Sequence, residues 1–148
     1  MEKFTEYLVE DVTPAKDLHV VIMGLGDEEG TFAELMQRVC AKNKIKNTLI
    51  DIEQAYMVSS DIEIGSAKIR NYDGKDNEIN ITVQNTIVFV RAGALKSLTS
   101  QALIATLQNI GFFLINDLET MLLCDNKMTS TLALERNNIS VPRTSIVN

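Results

Sequence analysis

The chain has 148 residues, about one ordinary domain or one domain and the beginning of a second, which excludes a two-domain enzyme carrying a complete large catalytic domain. Its 45% hydrophobic and 23% charged residues, with a mean hydropathy of +0.03, are those of a globular protein and exclude disordered, collagenous and disulfide-scaffold classes. The net charge is −6, with 9 basic and 16 acidic residues before Arg91 and 5 and 4 from there onward, so nucleic acid is not the expected partner: neutralising phosphates needs surplus Lys and Arg.

The first seventeen residues lack clear periodicity and read as an N-terminal arm, 1–16, whose "VTPAKD" leads into the first strong element. The charges alternating through "MEKFTEYLVEDV" leave no room for the apolar core of a signal peptide. The apolar runs "HVVIMGLG" and "IGFFLI" fall far short of the ~20 residues that span a bilayer. A cytoplasmic protein with no membrane partner is expected.

A short, branched, continuous run stopped by glycine predicts a strand over 18–23, buried on both faces as in a parallel sheet. Thr31 with Glu34 three residues on forms a capping box. Phe32, Leu35, Met36, Val39 and Cys40 then recur at helical spacing and predict a helix over 32–42. "KNTLIDI" is the second strand, and strand, helix, strand in that order makes parallel pairing through a right-handed crossover the natural topology. Alternating segments at 62–64, 67–70 and 78–83, with "YDGKDN" between the last two, predict a small antiparallel hairpin turning at Asp73 and Gly74.

"NTIVFVRAGA" returns to a continuous strand, and Leu103, Leu107 and Ile110 mark a helix closed by Gly111. "FFLI" is a further buried strand. Asn116 with Glu119 predicts a second capping box, followed by a helix face of Leu118, Met121 and Leu122. Another helix is expected from about Asn126 to Arg136, closing at Asn137 and Asn138. "ISVPRTSIVN" reads as a linker entering a new strand. The fold class expected is α/β: an open, mostly parallel sheet flanked by helices, with the small antiparallel hairpin.

"GLGDEEG" places glycines 24, 26 and 30 between a strand and a helix, with Asp51 near the place of a ribose-binding carboxylate. The third glycine is one residue late, however, and Asp27, Glu28 and Glu29 would repel a pyrophosphate from the helix N-terminus. The segment is read as a tight turn. His19, the single histidine, is read as a satisfied structural residue. Cys40 and Cys124 lack the paired spacing of a zinc or redox motif and are read as buried thiols. Asp51/Glu53 and Asp61/Glu63 could each share a strand face as acid and base or as cation ligands, but they are read as solvated strand-edge or loop positions. The methionines are read as core filling.

The ordered set Arg91 ending a strand, Gly93 and Ala94, a helix around Leu103, Gly111, a strand reaching Asn116, Lys127 at a helix start, Asn138, and Ile139 to Thr144 in "ISVPRT" resembles the RimK-like ATP-grasp ligases, the group that includes synapsin and bacterial glutathione synthetase. The resemblance covers about residues 86–147. Asn126, with Asp125 before it, stands where the family has Asp before its lysine, and Asn138 stands where it has a helix-ending glycine. The resemblance implies a pre-ATP-grasp α/β domain over 17–125, with 126–148 as the linker helix and first strand of a truncated ATP-grasp domain.

What it implies further is the N-terminal, substrate-side part of an ATP-dependent carboxylate–amine ligase, catalytically incomplete in this chain. No cofactor is expected in residues 1–148; ATP and magnesium would belong to the full-length ligase. By resemblance Arg91 would bind a substrate carboxylate, the alternative being a structural arginine paired with an acidic loop. Lys127 would reach a nucleotide phosphate, the alternative being a solvated surface lysine. The implied partners are the missing ATP-grasp lobes or a second copy of the chain, with a small-molecule or peptide substrate in the full-length form. A stand-alone interaction or assembly module with the same fold is the competing reading, and nicotinamide chemistry at "GLGDEEG" is disfavoured by its acidic residues.

Overall fold

The computed structural model describes residues 17–24, 32–71, 78–91, 95 and 97–143. Within them the chain runs β1 (His19–Gly24), α1 (Phe32–Lys42), β2 (Lys46–Asp51), β3 (Ala55–Tyr56), a 3-10 turn (Ser59–Asp61), β4 (Ile62–Glu63), β5 (Ser66–Asn71), β6 (Ile79–Thr82), β7 (Thr86–Val90), α2 (Leu98–Ile110), β8 (Phe113–Ile115), α3 (Leu118–Asp125) and α4 (Lys127–Arg136). Four parallel strands in the order β2-β1-β7-β8 form the main sheet, and β3-β5-β4 with β6 beside β5 form a small antiparallel one. The fold is α/β, as the continuous apolar strands and intervening helices predict.

The central strand explains the topology. All six residues of β1 are buried, and this branched apolar run can be satisfied only with neighbours on both edges and cover on both faces. Val21 and Met23 point with Ile50, Val88 and Val90 into the larger core, which α2 closes with Leu103, Ile104 and Leu107 and the antiparallel sheet closes with Ala67, Ile69 and Ile81. Val20 and Ile22 point the other way, toward Ala33 and Cys40 of α1. The period-two pattern of β5, with Ala67 and Ile69 inward and Lys68 and Arg70 outward of them, lays that sheet over the parallel one.

Helix ends follow the local chemistry. Ser97 caps α2 by accepting from the Ser100 amide at 3.0 Å. Gly111 closes the helix at φ 104°, donating its N–H to the Gln108 and Leu107 carbonyls, in a conformation that glycine enters without a Cβ clash. Asn126 caps α4, accepting from Met128 and Thr129.

Several expectations need correcting. The second capping box is not the Asn116/Glu119 pair: the cap of α3 is Asp117, whose carboxylate accepts from the Thr120 amide at 2.8 Å and the Thr120 hydroxyl at 2.7 Å. Of Asn137 and Asn138, only Asn138 is left-handed, at φ 59°. Leu35 and Val39 are exposed, because α1 buries only the side carrying Ala33 and Cys40. Leu122 is also exposed, since α3 buries Met121 alone. β1 starts and ends one residue later than predicted, and β3 was not foreseen. The antiparallel β5–β6 pairing is present, while its turn at Asp73 and Gly74 lies outside the described residues. So do the arm 1–16, Thr31 and the strand expected from Thr144.

Candidate functional site

The chain leaves β1 for β2 on one side and reaches β7 and then β8 on the other, so the winding reverses between β1 and β7. In open parallel sheets the crevice beyond the carboxyl ends of such strands is the place where ligands bind. Four described residues mark it: Gly24 ending β1, Asp51 ending β2, Arg91 directly after β7, and Phe32 opening α1.

Arg91 is held there from both ends. Its backbone N–H donates to the Met23 carbonyl at 3.2 Å, fixing the main chain beside β1. Its guanidinium carbon sits 5.5 Å from the centroid of the Phe32 ring, within reach of a cation–π attraction. Phe32 in turn meets Phe89 of β7, with centroids 5.5 Å apart and planes tilted by 34°, within the range of favourable aromatic contacts. The Phe89–Phe32–Arg91 stack is a ladder from the sheet face to a fixed positive charge. Arg91 is exposed, and among the described residues it joins no ion pair. A guanidinium held over a ring, with no ion pair among the described residues, has N–H donors to offer a planar anion such as a carboxylate.

The rest of this end is less suited to phosphate. A Cβ added at Gly24 would meet the Ala33 Cβ at 3.9 Å, ordinary contact, so helix–strand packing does not demand glycine as a dinucleotide fingerprint does. Asp51 is engaged in the backbone: its Oδ1 accepts from the Glu53 amide at 3.0 Å, and the adjoining Ile52 amide donates to the Gly24 carbonyl at 3.0 Å. Residues 25–31, with the remaining glycines and acidic residues of "GLGDEEG", and Gly93 and Ala94 lie outside the described residues.

The other candidates sit elsewhere. Lys127 is exposed at the first turn of α4 with no ion pair among the described residues, and no hydrogen bond or ring contact joins it to Arg91. His19 opens β1 at the opposite end of the sheet, about 17 Å from the carboxyl edge at strand rise. It is the satisfied structural histidine expected: its Nε2 lies 2.8 Å from Thr48 Oγ1, and burial, with a smaller contribution from Lys46, holds its pKa below the ordinary value.

Asp61 and Glu63 do not share a strand face. Asp61 ends the 3-10 turn and pairs with Arg70 at 2.9 Å, whereas Glu63 is exposed on β4. Arg70 also reaches Glu78 at 3.3 Å, and Lys68 reaches Glu78 at 3.1 Å, which holds the Glu78 carboxyl below its usual range. The sequence reading missed this network; its signal was the spacing of Lys68 and Arg70 two apart on one strand. Cys40 is buried, and burial pushes its thiol up, but Cys124 is exposed on α3, correcting the expectation that both are buried. Met23 and Met121 fill the core as expected.

Among the described residues no group of three or more His, Cys, Asp or Glu is placed to hold a metal ion, and no helix is long and apolar enough to cross a membrane. A groove of about 290 Å³ between α2 and α3, lined by residues such as Ala105, Gln108, Leu118 and Leu122, carries no comparable chemistry. No family model and no curated protein matches the chain.

Proposed function

We propose that this chain is the N-terminal, substrate-side domain of an ATP-dependent carboxylate–amine ligase of the RimK-like ATP-grasp kind, acting in the cytoplasm, with Arg91 as its carboxylate receptor. The observation that carries the reading is the stacked, exposed Arg91 at the winding reversal of the parallel sheet. In such a ligase ATP and magnesium supply the activation of a carboxylate as an acyl phosphate. Among the described residues no group of three or more His, Cys, Asp or Glu is placed to hold a metal ion, and the reading assigns the binding of ATP and magnesium to lobes outside this chain. The role of this domain is binding and orientation. A substrate carboxylate accepting two parallel N–H bonds from Arg91 would be fixed in plane at the rim of the sheet.

The half-exposed Leu132, Leu134 and Ile139 in and after α4 fit a surface that the next lobe covers. They serve the second reading, an interaction module, equally well, so the test rests on Arg91. Titration of the 148-residue chain with small amino-acid and dicarboxylate ligands, followed by amide shifts at Gly24, Phe32 and Arg91, is expected to show saturable binding. Arg91→Gln should weaken it about ten- to a hundredfold, as for loss of a charged hydrogen-bond pair. Arg91→Lys should restore only part, because an ammonium lacks the fork. Unchanged binding in Arg91→Gln, or no carboxylate response in the parent chain, would remove the receptor and with it the ligase reading.

A further inference from the structure

The crevice that holds Arg91 carries a second charge at the same level. Register pairs Gly24 with Asp51 on one side of β1 and Met23 with Val90 on the other, so Arg91, the next residue, falls level with Gly24. Its N–H bond to the Met23 carbonyl keeps it there. Asp51, Gly24 and Arg91 are thus the last row of the sheet at its carboxyl edge. Side chains alternate along a strand, and Ile50 and Val90 belong to the larger core, so Asp51 and Arg91 face away from it, toward α1. Two contacts agree: the Arg91 guanidinium lies over the Phe32 ring, and a Cβ on Gly24 would meet the Ala33 Cβ at 3.9 Å. An anion and a cation therefore stand on one face, two strand spacings or about 10 Å apart, with a residue lacking a side chain between them. Among the described residues neither joins an ion pair. Asp51 is half-buried; its Oδ1 accepts from the Glu53 amide, and no hydrogen bond among the described residues goes to Oδ2.

We propose that Asp51 receives the ammonium group of the ligand whose carboxylate Arg91 binds, so that the crevice takes a zwitterion the size of one amino acid. The inference rests on the reading of Arg91 as a carboxylate receptor and adds the opposite pole. The spacing sets the size. One amino acid with a hydrogen bond at each end spans roughly 9 Å, close to the separation of the two strands, whereas a dipeptide is longer by about 3.5 Å. The signs set the selectivity. An ammonium gives Asp51 a charged donor for its unused oxygen, a monocarboxylate without an amine gives it nothing, and a dicarboxylate brings a second negative charge toward it and is disfavoured. Asp51 is in this sense a specificity residue: Arg91 holds the ligand, and Asp51 decides which carboxylates are held well.

The test is titration of the 148-residue chain with alanine, propionate, succinate and alanylalanine, followed by the amide shifts of Phe32, Arg91 and Glu53, the last reporting on the Asp51 carboxylate. Alanine is expected to bind about tenfold or more tighter than propionate, the effect of one charged hydrogen bond, with succinate and alanylalanine both weaker than alanine. Asp51→Asn keeps an acceptor for the Glu53 amide, so the local turn is retained, and circular dichroism checks the fold. This variant should lower alanine to the level of propionate and leave propionate no weaker, whereas Arg91→Gln should weaken both. Equal binding of alanine and propionate by the parent chain, or an alanine preference that survives Asp51→Asn, overturns the proposal while the Arg91 reading stands. Alanylalanine binding tighter than alanine overturns the one-residue span. No response of the parent chain to any of the carboxylates removes the Arg91 reading, and this inference with it.

Discussion

At the scale of single residues, His19 is where proton binding and folding are most directly linked. Its imidazole is buried at the amino end of β1 against Thr48, and protonation would place a charge in that site beside Lys46. Its folded pKa is therefore below the ordinary 6.5, mainly through burial. The unfolded chain binds the proton more readily, so acid favours unfolding. The contribution of neutral His19 is fully present above about pH 6.5 and is lost as the pH falls from there toward the depressed value. Two carboxyls act in a lower window: Glu78, held down mainly by Lys68, and Asp117, held down mainly by the Thr120 hydroxyl, lose their contributions only as the pH falls below their ordinary values of 4.5 and 3.8. Denaturant unfolding between pH 5.5 and 7.5 should show stability rising with pH, and His19→Gln, which keeps a polar group for Thr48, should flatten that rise. An unchanged slope in His19→Gln would place the linkage elsewhere.

At the scale of elements, each helix start tests whether a cap is more than a motif. Ser97 accepts from the Ser100 amide, and its hydroxyl lies 2.7 Å from that of Ser100, which is 1% exposed. Ser97→Ala removes the cap and leaves a buried hydroxyl short of a partner, an expected loss of about 1–2 kcal/mol in unfolding free energy. Ser97→Asp, which still accepts from the amide, should lose less, and equal losses would contradict the capping account. The elements were legible where local chemistry and burial agree. Phe32–Lys42 follows from its apolar periodicity, and α2 closes at Gly111, where periodicity and a stop signal coincide. The start of α3 departs from the expected Asn116 cap because the backbone brings the adjacent Asp117, not Asn116, to the Thr120 amide, and adjacent cap-forming residues differ only in conformation. Leu35 and Val39 share the helical spacing of Phe32, Met36 and Cys40, but the burial of α1 centres on Ala33 and Cys40, a narrower stripe than five apolar positions suggest. Arg91 was legible as a strand-end residue. Its stack on Phe32 and Phe89 was not, since that depends on how α1 crosses the sheet, a long-range fact that no spacing encodes.

At the scale of the molecule, stability is unevenly distributed. The larger core gathers fully buried side chains from β1, β2, β5, β6, β7 and α2, Val21, Ile50, Ile69, Ile104 and Leu107 among them, so opening any one exposes the others. α4 stands apart: none of its ten residues is buried, Leu132 and Leu134 are 40% and 41% exposed, and it is pinned to the end of α3 by the Ser130 hydroxyl donating to the Leu123 carbonyl at 2.7 Å. A ten-residue helix has little stability of its own in water. With two leucines only partly withdrawn from solvent, its docking contributes roughly 1–3 kcal/mol, against a global stability of about 5–15 kcal/mol for a domain of this kind. Native-state hydrogen exchange should therefore find amides of Lys127–Arg136 opening in a sub-global step with little denaturant dependence, while those of β1 and α2 exchange only through global unfolding. In a longer chain carrying the lobes that the ligase reading requires, the same amides should gain protection as Leu132 and Leu134 are covered. If α4 in the 148-residue monomer is already as protected as β1, it is integral to this domain, and the view of it as a connector awaiting a second lobe is wrong.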